Sequence, residues 1–299
     1  MQEHYVSLSG LRTKVTTFGT WVEESLEPGQ NIVIIIPGNP GVNSFYNCFA
    51  EQLHLRLGWP VWIVGHAGHN IPETDIDPLP KESHGYSLDG QIKHKLSFLN
   101  TYVPEGAKVH LICHSIGSYM ITELLNEPVL TYTVTDLFYL FPTIEYMKET
   151  RNGKFLTRFI KPLVPLIIFM AWIFTILPTV IQNLLIIMYL FFTGIPQKNA
   201  TSVKDLVHPD VLRRVFSMAF EEMDLVRARN DEAIKKNLQK IHFIYGQNDG
   251  WAPRQYFERL VQDINGVKAQ IHIYEHAFVL RQSIPVALLV CDTILSKEN

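Results

Sequence analysis

The sequence predicts an α/β fold, a mostly parallel central sheet flanked by helices, and three observations carry that prediction. Short β-branched and aromatic runs alternate with helix-compatible segments along the 299-residue chain. Most runs are almost uninterrupted in apolar character, which marks parallel strands buried on both faces. Turn residues bound each run, and no internal repeat or low-complexity linker interrupts the alternation.

The elements follow in order. Strands are predicted at 31–36, 61–64, 109–113, 136–140, 241–245 and 270–274. Between the second and third, Ile92, Leu96 and Leu99 recur at helical spacing and form one apolar stripe. A helix-compatible stretch, 118–126, follows the third strand. A further helix opens at Pro253, where a missing N–H costs nothing, and aligns Tyr256, Phe257, Leu260, Val261 and Ile264 on one face.

One region departs from the alternation. Residues 162–197 contain no charged side chain and include the runs 166–174 and 184–192. This region separates the fourth strand from the fifth. We therefore expect an apolar helical cap, residues 146–203, inserted between a first core part, 1–145, and a second, 204–299.

Composition excludes several classes of function. Hydrophobic residues make up 47 % and charged ones 18 %, an apolar balance that the insertion accounts for. A net charge of −3 supplies no field to recruit nucleic acid, so none is expected as a partner. Cys48, Cys113 and Cys291 are scattered and lack Cys-x-x-Cys spacing, so neither a disulfide framework nor a zinc site is indicated and a reducing compartment fits. The first residues are polar, and a cytosolic start is the expectation.

The chemistry concentrates where the third strand meets the helix after it. Strand 109–113 runs into His114-Ser115-Ile116-Gly117, so Ser115 occupies a strand–turn–helix elbow. The helix N-terminus there is aimed at developing negative charge. Cys113 stands at the first glycine position of the usual Gly-x-Ser-x-Gly pattern. A nucleophilic serine needs a base, and the base needs an orienting carboxylate. Asp249, directly after strand 241–245, and His276, after the last strand, supply them. The order Ser115, Asp249, His276 is that of α/β-hydrolase triads. Glu145 is the reserve acid and His272 the weaker alternative base.

Two backbone donors are expected for the oxyanion: the N–H of Ile116, and that of Asn39 in the loop Pro37-Gly38-Asn39-Pro40-Gly41. Pro40 has no N–H to give. His66 and His69 invite a metal reading, but nearby Glu73, Asp75 and Asp77 lack ligand spacing, so a structural or substrate-loop role is expected and no metal. The predicted chemistry needs no cofactor.

Ser115 precedes the insertion while Asp249 and His276 follow it, so a single membrane crossing would separate nucleophile from base. Pro178 divides the apolar run into 163–177 and 179–195, each reaching about 23–25 Å as a helix, against about 30 Å for a bilayer core. Gln182 and Asn183 burden the second half. A shallow hairpin in one lipid leaflet is expected. Arg151, Lys154, Arg158 and Lys161 recur at helical spacing just before it and suit phosphate head groups. Phe169, Trp172, Phe174 and Phe191 are the expected apolar membrane contacts.

These residues carry a family resemblance. Ile34-Ile35-Ile36-Pro37-Gly38-Asn39-Pro40-Gly41, His66-Ala67-Gly68-His69, the stretch from Gly90 to Leu99, His114-Ser115-Ile116-Gly117-Ser118-Tyr119, Phe141-Pro142-Thr143-Ile144-Glu145 and His276-Ala277-Phe278 together resemble the lipid droplet-associated serine hydrolases. The resemblance covers nearly the full length. It implies the α/β-hydrolase fold, the triad Ser115, Asp249 and His276, attachment to the cytosolic face of lipid droplets and endoplasmic reticulum through an apolar hairpin, and hydrolysis of neutral lipid esters, sterol esters foremost. Cys113 departs from the family's glycine. Two other readings stay open: a soluble-ester or thioester hydrolase, and a non-catalytic lipid-surface protein that keeps the fold.

Overall fold

The computed structural model describes residues 1–8, 10–24, 26–27, 29–71, 80 and 83–297. Eight strands form one sheet: β1 (Gln2–Leu8), β2 (Leu11–Phe18), β3 (Asn31–Ile36), β4 (Val61–Val64), β5 (Lys108–His114), β6 (Val134–Leu140), β7 (Ile241–Gly246) and β8 (Lys268–His272). Their spatial order is β1-β2-β4-β3-β5-β6-β7-β8, parallel from β4 to β8, with β1 and β2 added antiparallel at one edge. At the centre, Ile36 pairs with Cys113 and Cys113 with Tyr139, which places the carboxyl end of β5 in the middle of the sheet.

The pleat sends alternate residues into two apolar layers. Ile32, Ile34, Ile36, Leu111 and Cys113 enter one, while Val33, Ile35 and Ile112 enter the other. Helices Leu88–Tyr102 and Arg254–Asp263 bury Phe98, Leu99, Tyr256 and Leu260 against the first layer. Helices Asn47–Leu57 and Ser283–Leu295 bury Phe49, Leu53, Val286 and Val290 against the second. Each fully buried aliphatic side chain stabilises the fold by about 1.5–3 kcal/mol relative to an exposed one.

β1 and β2 lie outside the predicted strands, and the last strand is Lys268–His272, two residues earlier than the predicted 270–274. β8 is an edge strand with half-exposed side chains, so burial does not mark its end. Ile273 is exposed and lies beyond the last paired residue, His272, where the chain turns toward His276.

The excursion between β6 and β7 also differs from expectation. Residues Arg151–Ile176 form one continuous helix of 26 residues rather than a basic segment and a separate apolar half. At ~1.5 Å per residue it reaches about 39 Å. A π-helical turn at Leu156–Ile160 precedes Pro162, and widening there relieves the carbonyls that proline cannot satisfy. Pro178 ends the helix pair's first member, and Thr179–Thr193 forms the second. Gln182 is buried rather than lipid-facing, because its Nε2 donates to the carbonyls of Thr175 and Leu177 and caps the first helix.

Candidate active site

Ser115 links the end of β5 to helix Ile116–Glu123 with φ 52° and ψ −121°, a conformation costly for any residue with a Cβ. The neighbouring backbone enforces it. A Cβ on Gly117 would lie 2.7 Å from the Ile36 carbonyl oxygen, and one on Gly38 would lie 2.8 Å from Ser115 Cβ, so both positions need glycine. Cys113 does not crowd the turn. It is a regular strand residue whose side chain packs, fully buried, in the core layer, and burial pushes its thiol well above the usual range.

The structure brings Ser115, His276 and Asp249 together. His276 Nδ1–H donates to Asp249 Oδ2 at 2.7 Å, and Nε2 accepts from Ser115 Oγ at 2.9 Å. The carboxylate fixes this tautomer, since it can only accept. Its Oδ1 in turn accepts the backbone N–H groups of Trp251 (2.7 Å) and Ala252 (3.1 Å). Burial alone would raise the Asp249 carboxyl, but the His276 imidazole and these two N–H groups outweigh it and hold it below its usual range.

The alternatives lie elsewhere. Glu145 is buried in a charge network, with Oε1 2.9 Å from Arg229 Nη1 and Oε2 3.2 Å from Arg259 Nη2. His272 pairs with Gln270 on the exposed edge strand.

Two backbone N–H groups near the serine lack an acceptor among the described residues. The Ile116 N–H opens its helix, where no intrahelical acceptor exists. In the loop after β3, Gly38 N–H is occupied by Tyr46 Oη at 2.8 Å, while Asn39 N–H has no acceptor among the described residues. His66 and His69 lie buried beneath this loop: His69 Nδ1–H donates to the Pro40 carbonyl at 2.7 Å, and His66 occupies the space next to Gly41. Glu73, Asp75 and Asp77 lie outside the described residues.

Sequence reasoning missed a second chain of contacts. His114 Nε2–H donates to the His276 carbonyl at 2.9 Å, and its Nδ1 accepts from the Tyr46 hydroxyl at 2.6 Å. Burial first, then the neighbouring His276, pushes His114 down to about 3, so it stays neutral and keeps both bonds. The base loop and the loop after β3 are thereby tied to one another through Tyr46. Nothing in the local sequence marks Tyr46, although His114 adjoins the serine.

Above these groups opens a chamber of about 920 Å³. Its walls are mainly apolar, with Leu166, Ile167, Met170 and Ala171 from one cap helix and Leu185 and Ile186 from the next. Val215 and Phe216 of helix Pro209–Leu225 close another side, so the wall extends beyond residue 203. The opposite faces of the cap helices carry Phe169, Trp172 and Phe191, which are 52 %, 50 % and 79 % exposed. Phe174 departs from the outward set. It follows Ile167 and Ala171 on the inward stripe and lines the chamber. Arg151, Lys154, Arg158 and Lys161 are exposed, and the Lys161 ammonium lies 4.8 Å over the Phe220 ring.

Comparison with known proteins gives a consistent picture. The profile of a family described as lipid-droplet associated hydrolase matches residues 29–279. The chain is 40 % identical over 303 residues to a lipid droplet-associated hydrolase of Drosophila melanogaster, covering 98 % of each chain. It is 34 % identical to the mouse protein of that name and 33 % to the human one, covering 98 % of this chain and 95 % of either relative. Among solved structures, a serine hydrolase of a Cycloclasticus species superposes with TM-score 0.63 at 16 % identity, covering 98 % of this chain and 97 % of that one. An N-formylmaleamic acid deformylase of Pseudomonas putida gives TM-score 0.63 at 13 % identity, covering 96 % and 100 %. At such identities the likeness shows the fold, that of the α/β-hydrolases.

Proposed function

The chain belongs to the lipid-droplet associated hydrolase family, and from that premise we propose that it is a serine esterase cleaving neutral lipid esters at a droplet surface. One observation carries the reading: the His276 imidazole bridges Ser115 Oγ and the Asp249 carboxylate at the floor of an apolar chamber. Ser115 Oγ attacks the ester carbonyl carbon while His276 Nε2 takes its proton, and Asp249 stabilises the imidazolium. The N–H groups of Ile116 and Asn39 hold the oxyanion. Collapse breaks the ester C–O bond, and the alcohol leaves with the proton from His276. Water then attacks the acyl-serine, gives one proton to His276 and releases the fatty acid, after which the proton returns to Ser115.

The substrate class follows from the chamber. Aliphatic walls fit acyl chains, with sterol esters the class that the family resemblance favours. Residues 146–203 serve as a cap whose inner face holds substrate and whose outer face, Phe169, Trp172 and Phe191, enters a phospholipid leaflet, with Arg151, Lys154 and Arg158 at the head groups. Droplets and the cytosolic face of the endoplasmic reticulum present that leaflet.

A fluorophosphonate probe on the full chain in the presence of droplets tests the reading. Labelling of the native chain and none of Ser115→Ala supports it. Equal absence of labelling in both leaves a lipid-surface protein without a nucleophile.

A further inference from the structure

Glu222 places a carboxyl in a wall that is mainly hydrocarbon. It lies on helix Pro209–Leu225, in line with Val211, Val215 and Met218 at spacings of a helical stripe, and is 3 % exposed. It lines the chamber that also contains Ser115 and His276. Its Oε1 accepts from Asn39 Nδ2 at 2.9 Å, and the same nitrogen donates to the Val215 carbonyl at 3.0 Å. Asn39 follows Gly38, which abuts Ser115, so the carboxyl stands one side chain away from the loop that faces the nucleophile.

Two atoms here lack partners. Among the described residues Glu222 Oε2 makes no hydrogen bond, and Asn39 Oδ1 is buried without a donor. Burial pushes the Glu222 carboxyl up to about 8, against the Asn39 bond, and the like charge of Glu221 on the same helix adds to the rise. The other titratable groups bordering the chamber are His114, His276, Tyr46 and Tyr189, and among the described lining residues no second carboxyl accompanies Glu222. Burial therefore favours the protonated carboxyl at neutral pH. A carboxyl O–H without an acceptor, with an unmet amide carbonyl enclosed behind it, suits a hydroxyl, which accepts from the carboxyl and donates to Asn39 Oδ1 once that amide turns toward the chamber.

We propose that Glu222 and Asn39 bind a free hydroxyl of the substrate, and that the preferred substrate is a neutral lipid ester with a hydroxyl close to the scissile bond, as in a partial glyceride. The inference rests on the hydrolase reading and refines its substrate class. A sterol ester without a free hydroxyl leaves both groups unsatisfied, which penalises its binding.

The test measures kcat/KM for monooleoylglycerol and for cholesteryl oleate in mixed micelles, using the full chain and two variants, Glu222→Met and Glu222→Gln. Rates are expressed per Ser115 labelled by fluorophosphonate, so misfolded protein does not count. The ratio favouring monooleoylglycerol is expected to fall roughly tenfold in Glu222→Met, about what losing a hydrogen bond costs. Glu222→Gln keeps an acceptor for Asn39 and a donor for the hydroxyl, so its ratio stays within about threefold of wild type. The wild-type ratio also declines above pH 8 as the carboxyl ionises, while that of Glu222→Gln stays flat. An unchanged ratio in Glu222→Met overturns the proposal, as does an equal fall of both rates, which marks a carboxyl that only holds the Asn39 loop. Absence of both labelling and turnover in the native chain removes the hydrolase reading itself, whereas normal labelling without preference removes only this inference.

Discussion

Asp249→Asn changes an oxygen to an NH₂ group and tests the hydrogen-bond logic of the candidate site. The two carboxylate oxygens have different duties: Oδ1 accepts from Trp251 and Ala252 N–H, and Oδ2 accepts from His276 Nδ1–H. An asparagine cannot do both. Its carbonyl must face the two backbone donors, since the alternative sets three donors against each other, and its NH₂ then points at His276 Nδ1. The imidazole is forced to carry its proton on Nε2, against Ser115 Oγ, where it cannot act as a base. Wrong-tautomer effects of this kind lower kcat by about 10⁴. Exchanging the anionic acceptor for a neutral one also removes about 1–3 kcal/mol of stability. The sign of the pH effect is fixed by the depressed Asp249 carboxyl. Its contribution is fully present above the ordinary carboxylate range and is lost as pH falls through the lower folded value, and the Asn variant lacks that loss. The assay is release of p-nitrophenol from a short-chain ester, alongside thermal unfolding from pH 3 to 7. Retention of activity within tenfold of wild type by Asp249→Asn, together with its abolition in Glu145→Gln, would refute the assignment of the acid.

Further predictions concern the surroundings. Tyr46→Phe leaves Gly38 N–H and His114 Nδ1 unpaired in a buried site, so stability falls by about 1–3 kcal/mol per group and kcat falls with unchanged KM, measured by calorimetry and steady-state kinetics. Cys113→Gly restores the usual elbow glycine but deletes a fully buried side chain, and it is expected to lower the melting temperature without raising kcat. Trp172→Asp combined with Phe191→Asp puts charges on the outward faces of the cap helices at about 2.5–3.5 kcal/mol each. Droplet flotation should show release of that variant, while fluorophosphonate labelling in detergent persists. Glu222 is held protonated when folded up to about pH 8 and ionises near 4.5 when unfolded, so wild-type stability declines between those values by at most about 1.4 kcal/mol per pH unit. Glu222→Gln removes that slope.

The parts of the fold that the sequence made legible are those where burial leaves a mark. β3 and β5 are apolar on both faces, and turn residues bound them, so their limits follow from composition. Ser115, Asp249 and His276 each follow a strand at the same sheet edge, and topology alone brings such positions together. β1 and β2 were missed because an antiparallel edge hairpin alternates polar and apolar residues, a weaker signal than a continuous run. The length of helix Arg151–Ile176 is not legible because prolines such as Pro162 and Pro165 ordinarily interrupt a helix, whereas here a π-helical turn precedes them and the helix runs on. Phe174 was placed outward by hydrophobicity, although its spacing from Ile167 and Ala171 already set it inward. Glu222 left a trace as well: a carboxylate on the apolar stripe with Val211 and Met218 is out of pattern, but its partner Asn39 is 183 residues away and only the fold joins them.

Whether Ser115 carries the acyl group is decided by intact-mass and peptide-mass analysis of the chain quenched during turnover of a slowly deacylating p-nitrophenyl acyl ester. One acyl group is expected on the peptide that contains Ser115, accumulating in wild type and absent from Ser115→Ala. Turnover without any adduct, or an acyl group on another residue that forms and decays at the turnover rate, would contradict it.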